Sequence, residues 1–491
     1  MKKRNIIIGV FFLIFLVWGG ITLMTKSVSG FPTQEELEKL SAEEWNNQIR
    51  REKFDIILPK VMRQNNVDMW IHVMRDAVED PFGENDLGSA SGIFVFTDKG
   101  DDRIERAVLG RRWGASQRER IALEQHDPIK ELEVYDVVGN PVFVTEPLSE
   151  VQTEYDLRFE GLREFVEARD PKVIAVNFRD KLGPWATSQN VNDGISLTDY
   201  RLLAEELGDK YASRIVSSEY VLMNYQISPV PSEVKLLKKM RADEMETVNK
   251  AFKAIKPGES KIEELGNTGN WEVDVVTFRR MSTGLSQRGR SAGWENAVVK
   301  GGDLIAAPSQ GKFAYVLKEG ETEPPTEIKK LWEEYLKVEK VFLETIKVGR
   351  TPREIVKDYK EKFNKIEVNI QEYQLHMFQP KNDFPTYAEG YDSERTLISI
   401  DLHGKGMGAT GRKHDIYLGP RIGSYGPEWT LDVPLAPNHH FVLEYFFYMP
   451  SPTPNKDEDQ YLLFWNHEQA VVTENGVEYL SPPQKELILI R

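Results

Sequence analysis

Two stretches of this chain read almost alike: Ile255-Lys256-Pro257-Gly258-Glu259-Ser260-Lys261-Ile262-Glu263-Glu264-Leu265 and Ile346-Lys347-Val348-Gly349-Arg350-Thr351-Pro352-Arg353-Glu354-Ile355. Each follows a long helical pattern, stops it with glycine, and then places Ser or Thr three residues before Glu. That spacing makes a capping box, in which each side chain accepts from the other residue's backbone N–H. The first helix is expected to start at Ser232, a good N-cap, and to carry Val234, Leu237, Val248, Phe252 and Ile255 on one face. The second runs from about Glu327 to Ile346, with Ile328, Leu331, Tyr335, Phe342 and Ile346 inward. Helix–Gly–cap–helix is common grammar, so the match arises either by coincidence or from an internal duplication. Duplication would give two helix–helix–strand halves about a pseudo-twofold axis, with a cleft between them.

Upstream, Ile227-Ser228-Pro229-Val230-Pro231 cannot continue a helix and marks a boundary between residues 30–230 and 231–491. Between Phe54 and Ser228 helical and strand-like runs alternate. Val67–Val73, Ile93–Phe96 before the turn Asp98-Lys99-Gly100, and Val173–Phe178 are the strand candidates. Such alternation predicts a mixed α/β layer domain.

Residues 1–29 stand apart. Lys2-Lys3-Arg4 precede an uncharged run from Ile6 to Met24, and Ser27-Val28-Ser29 offers a small-x-small cleavage site before Gly30. This reads as an export signal, with an uncleaved membrane anchor as the alternative, since the run is long enough to span a bilayer. Either way the body is exported: periplasmic, extracellular, or anchored outside the cytoplasmic membrane, with membrane contact only through this segment.

Composition narrows the chemistry. The 491 residues hold 63 basic and 78 acidic side chains, a net charge of −15, which argues against nucleic acid as a partner. Cysteine is absent, so disulfides, thiol nucleophiles and thiolate metal sites are excluded. Any metal must be held by carboxylates and by the eight histidines.

Several segments together resemble the Xaa-Pro aminopeptidase/creatinase family. They are the helix ending in Lys256-Pro257-Gly258, then Gly302-Asp303-Leu304-Ile305, Arg421-Ile422-Gly423-Ser424-Tyr425-Gly426, Phe441-Val442-Leu443-Glu444 and Val472–Leu480. The resemblance covers most of the mature chain and is most specific over 230–491. It implies an α/β creatinase-like N-terminal domain followed by a duplicated α+β "pita-bread" domain, and by family analogy a homodimer.

It also implies a site. Active family members hold two divalent metals on two Asp, one His and two Glu, where bridging carboxylates screen the cations from each other. Here the first Asp position falls at about Pro308, and Gly311 leads directly into Lys312–Leu317 with no hairpin to carry the second. No Asp occurs between Asp303 and Asp358. The His position matches His403 or His414, eleven residues on, in a glycine-rich stretch that also reads as a surface loop. Glu444 matches the first Glu, or points to solvent on an alternating strand. The last Glu falls at His467, with Glu468 beside it, and only one of these neighbours can face the cleft.

His403, Glu444 and His467 would suffice for one divalent metal (Mn, Zn or Co), not two. The expectation is therefore an aminopeptidase-like protein with impaired or lost two-metal activity, carrying less than one equivalent of metal. Two alternatives stand beside it. One is a metal-independent, creatinase-like hydrolase of a small C–N substrate, with His403 or His414 as acid/base. The other is a pseudoenzyme that binds a peptide or a protein partner. His439-His440 is expected at the surface, and Asp457-Glu458-Asp459 in a solvated loop.

Overall fold

The computed structural model describes residues 31–74, 83–89, 91–100, 103–111, 121–122, 125–141, 156–180, 194–265, 279–280, 282–283, 298–366, 368–370, 396–404, 419–423, 428–450 and 461–491. The N-terminal segment 1–29, His414, His376 and Asp457-Glu458-Asp459 lie outside them. No helix among the described residues is long and apolar enough to cross a membrane.

The first half is a mixed α/β layer built on six strands: β1 (Met69–Met74), β2 (Gly92–Asp98), β3 (Ile104–Leu109), β4 (Val137–Val138), β5 (Ile174–Val176) and β6 (Ile215–Ser217). Their order is β4-β3-β2-β1-β5-β6, with β1–β2 and β2–β3 antiparallel and the outer pairs parallel. β1 is buried on both faces because helices cover both. Trp70 and Met74 pack toward α1 (Ala42–Glu52), α2 (Leu58–Gln64) and α5 (Glu219–Gln226). Met69, Ile71 and Val73 pack toward α3 (Leu162–Glu167) and α4 (Leu197–Ala212). The turn after β2 closes as its sequence suggests: Asp98 Oδ1 accepts from Gly100 N–H at 2.8 Å, and Gly100 takes a positive φ of 76°.

The second half is α+β. α6 (Pro231–Ala254) begins two residues earlier than expected from an N-cap at Ser232. Its N-cap is Val230, whose side chain caps nothing, while Ser232 is buried inside the first turn. A carboxylate from the first half takes over the cap. Glu52, at the end of α1, accepts from Ser232 N–H at 3.1 Å and from the Ser232 hydroxyl, so a negative charge sits at the positive end of α6. Beside it, buried Lys53 lies 3.6 Å from Glu233 and donates to Tyr225 O, and Trp45 Nε1 donates to Ser232 O at 3.0 Å.

α7 (Thr326–Thr345) and α8 (Pro352–Lys365) form the second helical pair. The capping box at Thr351 and Glu354 is present, with both reciprocal bonds made. At the first stretch Ser260 Oγ accepts from Lys256 N–H at 2.9 Å across the turn, and Ile262–Leu265 is a 3-10 turn. The two stretches agree where the chain must bend. Gly258 and Gly349 both take positive φ, 88° and 80°, and Ile255 and Ile346 are each buried against their own half's sheet.

Those sheets are separate. One has the order β17-β10-β9-β7, from β7 (Arg279–Arg280), β9 (Leu304–Ala307), β10 (Lys312–Val316) and β17 (Ile488–Ile490). Ile305, Ala307, Ala314 and Val316 face α6, while Leu304, Ala306, Phe313 and Tyr315 face α7. The other has seven strands: β11 (Asn369–Ile370), β12 (Leu397–Gly404), β14 (His440–Pro450), β15 (Tyr461–Thr473) and β16 (Gly476–Tyr479) in order, with β13 (Arg421–Gly423) on β12 and β8 (Ser282–Thr283) on β15. α7 and α8 cover one of its faces through Tyr335, Phe342, Ile355 and Phe363 against Leu443, Tyr445, Phe447 and Phe464.

Glu52→Ala strips the cap from α6 and leaves the buried Ser232 N–H and hydroxyl without an acceptor. The variant is expected to lose about 2 kcal/mol, measured as a lowered urea midpoint; a midpoint equal to wild type would show that water replaces the carboxylate at no cost.

Candidate metal centre

Alternation along the strands of the seven-stranded sheet sets the site. Glu444 on β14 stands directly opposite Asp401 on β12 and directly opposite His467 on β15. Directly paired residues share a face, so Asp401, Glu444 and His467 form one row across three strands. His403 lies two residues beyond Asp401 on the same face, paired with Arg421 on β13.

The side chains converge. His403 Nε2 is 3.5 Å and His467 Nε2 is 4.0 Å from Glu444 Oε2, and one ligand atom from each of the three lies within 4.8 Å of the others. Metal–N and metal–O bonds of about 2.0–2.1 Å at tetrahedral angles set ligand atoms roughly 3.3 Å apart. Closing the set around a cation therefore requires small side-chain movements. His403 is buried, while Glu444 and His467 are partly exposed.

The tautomer of His403 bears on the fit. Its Nδ1 lies 3.1 Å from Gly404 O, and a carbonyl only accepts, so Nδ1 carries the hydrogen. In the neutral ring Nε2 then presents a lone pair to a carboxylate oxygen. Two acceptors face each other, and either a proton or a cation must lie between them. A carbonyl holding the far nitrogen is also the usual support of a metal-bound histidine. For Glu444, burial pushes the carboxyl up; the His403 hydrogen bond and the charges of His467, His403 and Arg421 outweigh it, and the group settles below the ordinary glutamate range.

Glu468 is not part of this site. It points to the opposite face, where its Oε1 accepts from Arg241 Nε at 3.0 Å and Nη2 at 2.5 Å. The cause is the strand itself: residues 467 and 468 are neighbours on β15 and cannot share a face. Pro308-Ser309-Gln310, where the missing carboxylates were expected, forms a 3-10 turn on that same far side. Arg241 Nη2 donates to Ser309 O at 2.8 Å, Gln310 donates to Glu244, and Gly311 lies against Glu468. β9 and β10 pair as an immediate hairpin, Ala307 opposite Lys312.

Asp401 and Arg421 are site residues that sequence reasoning missed. Asp401 accepts from Arg421 at both oxygens, Nε–Oδ1 2.7 Å and Nη2–Oδ2 2.6 Å, and both residues are buried. The available signal was the spacing Asp401-Leu402-His403, which puts carboxylate and imidazole on one face of a strand. His439 and His440 are buried, contrary to the expected surface placement, because β14 begins there inside the sheet. His440 Nε2 is 3.1 Å from Gln469 Oε1, and His439 stacks edge-on against Phe441 at 4.4 Å. Of the remaining histidines, His72 is buried in β1 and His126 is exposed 3.4 Å from Glu131.

No protein-family model matches the chain, and no curated protein matches it. Solved structures similar to it include the X-Pro aminopeptidase of Thermotoga maritima, 14% identical, covering 88% of this chain and 100% of that one at a TM-score of 0.48. The Xaa-Pro dipeptidase of Bacillus anthracis is 15% identical, with coverage of 92% and 100% and a TM-score of 0.47. The prolidase of Pyrococcus horikoshii is 14% identical, with coverage of 89% and 99% and a TM-score of 0.43. At such identities the site residues have to be judged by their own geometry.

Burial holds the His439 imidazole down at about 3, and its Nδ1 has no hydrogen-bond partner. The unfolded chain binds a proton below about pH 6.5 that the folded chain refuses until about pH 3, so stability falls as pH drops through that window. The slope is up to about 1.4 kcal/mol per pH unit. His439→Phe is expected to flatten the decline in unfolding midpoint between pH 7 and pH 4; a variant that declines in parallel with wild type would contradict a neutral buried ring.

Proposed function

We propose that this chain is an exported, Xaa-Pro aminopeptidase-like protein whose cleft binds one divalent cation on His403, Glu444 and His467, and in which two-metal hydrolysis is lost. The observation that carries this is the His403–Glu444–His467 convergence, with the far nitrogen of His403 held by Gly404 O. Two imidazoles and one carboxylate suit Zn, Co or Mn and leave room for a further ligand. A cation held there supplies a Lewis acid and lowers the pKa of a bound water.

The chain's own residues favour binding over turnover. Hydrolysis also needs a base to take the water's proton, within about 3 Å or through one water. The two carboxylates in the central row of this face are both committed: Glu444 faces two imidazoles and Asp401 is clasped by Arg421. Among the described residues no aspartate joins the cluster, and the turn at Pro308–Gln310 is built into the packing behind the sheet. The cleft is therefore assigned to binding a peptide through a single metal, with cleavage of Xaa-Pro bonds absent or residual.

Elemental analysis of the purified protein loaded with Zn2+, Co2+ or Mn2+ is expected to give one equivalent. His467→Ala and Glu444→Gln should each weaken affinity by tenfold or more while leaving the fold intact by circular dichroism. Two tightly held equivalents would sink the single-metal reading.

Export rests on the basic head Lys2-Lys3-Arg4, the uncharged run Ile6–Met24 and the small residues before Gly30. N-terminal sequencing of protein recovered from the producing cells is expected to begin at Gly30; a chain still carrying Met1 means that the segment is retained as an anchor.

A further inference from the structure

The same face of the sheet holds a second carboxylate, and its placement asks why it is not a ligand. Asp401 stands directly across the strand pair from Glu444, two positions along the row from His467. Its neighbour two residues on, His403, is a member of the cluster. By register Asp401 adjoins Glu444 on one side as His467 does on the other. What separates it is Arg421, reaching diagonally from β13 and bonding both carboxylate oxygens in a fork. Only 3% of the arginine side chain and 12% of the aspartate side chain are exposed, so water does little to loosen the pair.

We propose that Arg421 is a built-in positive charge standing where a second cation would otherwise be needed: by clasping Asp401 it withholds that carboxylate from the metal and limits the site to one ion. The proposal rests on the assignment of His403, Glu444 and His467 as cation ligands.

Charge arithmetic supports it. With neutral imidazoles, Asp401 and Glu444 bring two negative charges and Arg421 one positive charge. The cluster carries −1 and takes a single divalent ion to +1; a second ion would raise it to +3 in a half-buried cleft. Removing the guanidinium leaves −2, which one divalent cation neutralises. An unpaired buried carboxylate is also costly and seeks the nearest positive charge. Arg421 is thus a positioning residue: it touches no substrate, and acts by fixing where Asp401 can go.

The test is calorimetric titration of Zn2+ into the full chain, comparing wild type, Arg421→Met, Asp401→Asn and the double variant, with Co2+ absorption to read coordination number. Arg421→Met is expected to bind at least tenfold more tightly, because freed Asp401 joins the ion, and its Co2+ spectrum should change. Asp401→Asn should remain within about threefold of wild type, and the double variant should lose the gain. A purely structural role for Arg421 predicts weaker binding or none, not tighter. A tenfold loss in Asp401→Asn would overturn the proposal, since Asp401 would then already be a ligand. So would unchanged or weaker binding in folded Arg421→Met.

Should Arg421→Met melt early, Zn2+ must raise its melting temperature by more than it raises that of wild type; an equal or smaller rise overturns the proposal. The wild-type titration reads the ligand assignment separately. If wild type binds nothing while Arg421→Met binds one ion, the role of Arg421 stands and the assignment for the native protein falls; if neither binds, both fall.

Discussion

Neighbouring residues of a strand point to opposite faces, and along β14 and β15 that alternation divides the protein's chemistry in two. Glu444 and His467 face the cleft; Tyr445, Asn466 and Glu468 face the helices. The pairing runs unbroken from His440–Val471 to Pro450–Tyr461. A slip of one residue would carry the charges of the cleft into the core and bring tyrosine and asparagine out to the site. The site therefore depends on register more than on any single contact among its members.

Polar groups behind the sheet hold that register. Glu339 of α7 accepts from the hydroxyls of Tyr335, Tyr445 and Tyr479 at 3.1, 3.2 and 2.9 Å, and Asn466 donates to two of the same tyrosines. Burial raises the Glu339 carboxyl, and the three hydroxyls hold it back only in part. Arg241 of α6 completes the layer between Glu244 and Glu468. Apolar packing is tolerant of small shifts, whereas a buried hydrogen-bonded network is satisfied in one arrangement only. Tyr445 and Asn466 sit next to Glu444 and His467 in sequence, so the network that fixes the former also aims the latter.

The fold was largely legible because it is written in periodicity and punctuation. The helix over 326–345, the stop at Gly349, the box at Thr351 and Glu354, and the strand runs at 69–74 and 92–98 all follow from local pattern. Where tertiary contacts replace local ones, the reading failed. Ser232 looks like an N-cap but is buried by Glu52, which lies far away in sequence. Ser260 and Glu263 have the spacing of a box, but Ser260 Oγ is engaged by the Lys256 N–H of the preceding turn. At the site the candidate triad could be picked from the sequence, and period-two alternation required one of His467 and Glu468 to turn away without saying which. The Asp401–Arg421 clasp joins strands separated by a long connection, and no spacing rule reports such a pairing. His414 lies outside the described residues.

Among its described residues, the half built on α6, β9 and β10 contributes structure to the site's rear. Pro308-Ser309-Gln310 is tied to β15 through Arg241 and to α6 through Glu244, and Gly311 approaches Glu468 so closely that a Cβ would fall 2.5 Å from its Oε2. An aspartate at position 308 would therefore enter a layer that already holds Glu244 and Glu468 against a single arginine. It would add a third buried negative charge rather than a ligand. A longer hairpin between β9 and β10 would have to release this turn from β15. The residues that stabilise the sheet thus hold the turn at Pro308–Gln310 in place, with Arg241 tying it to Glu468 on the face of β15 opposite His467.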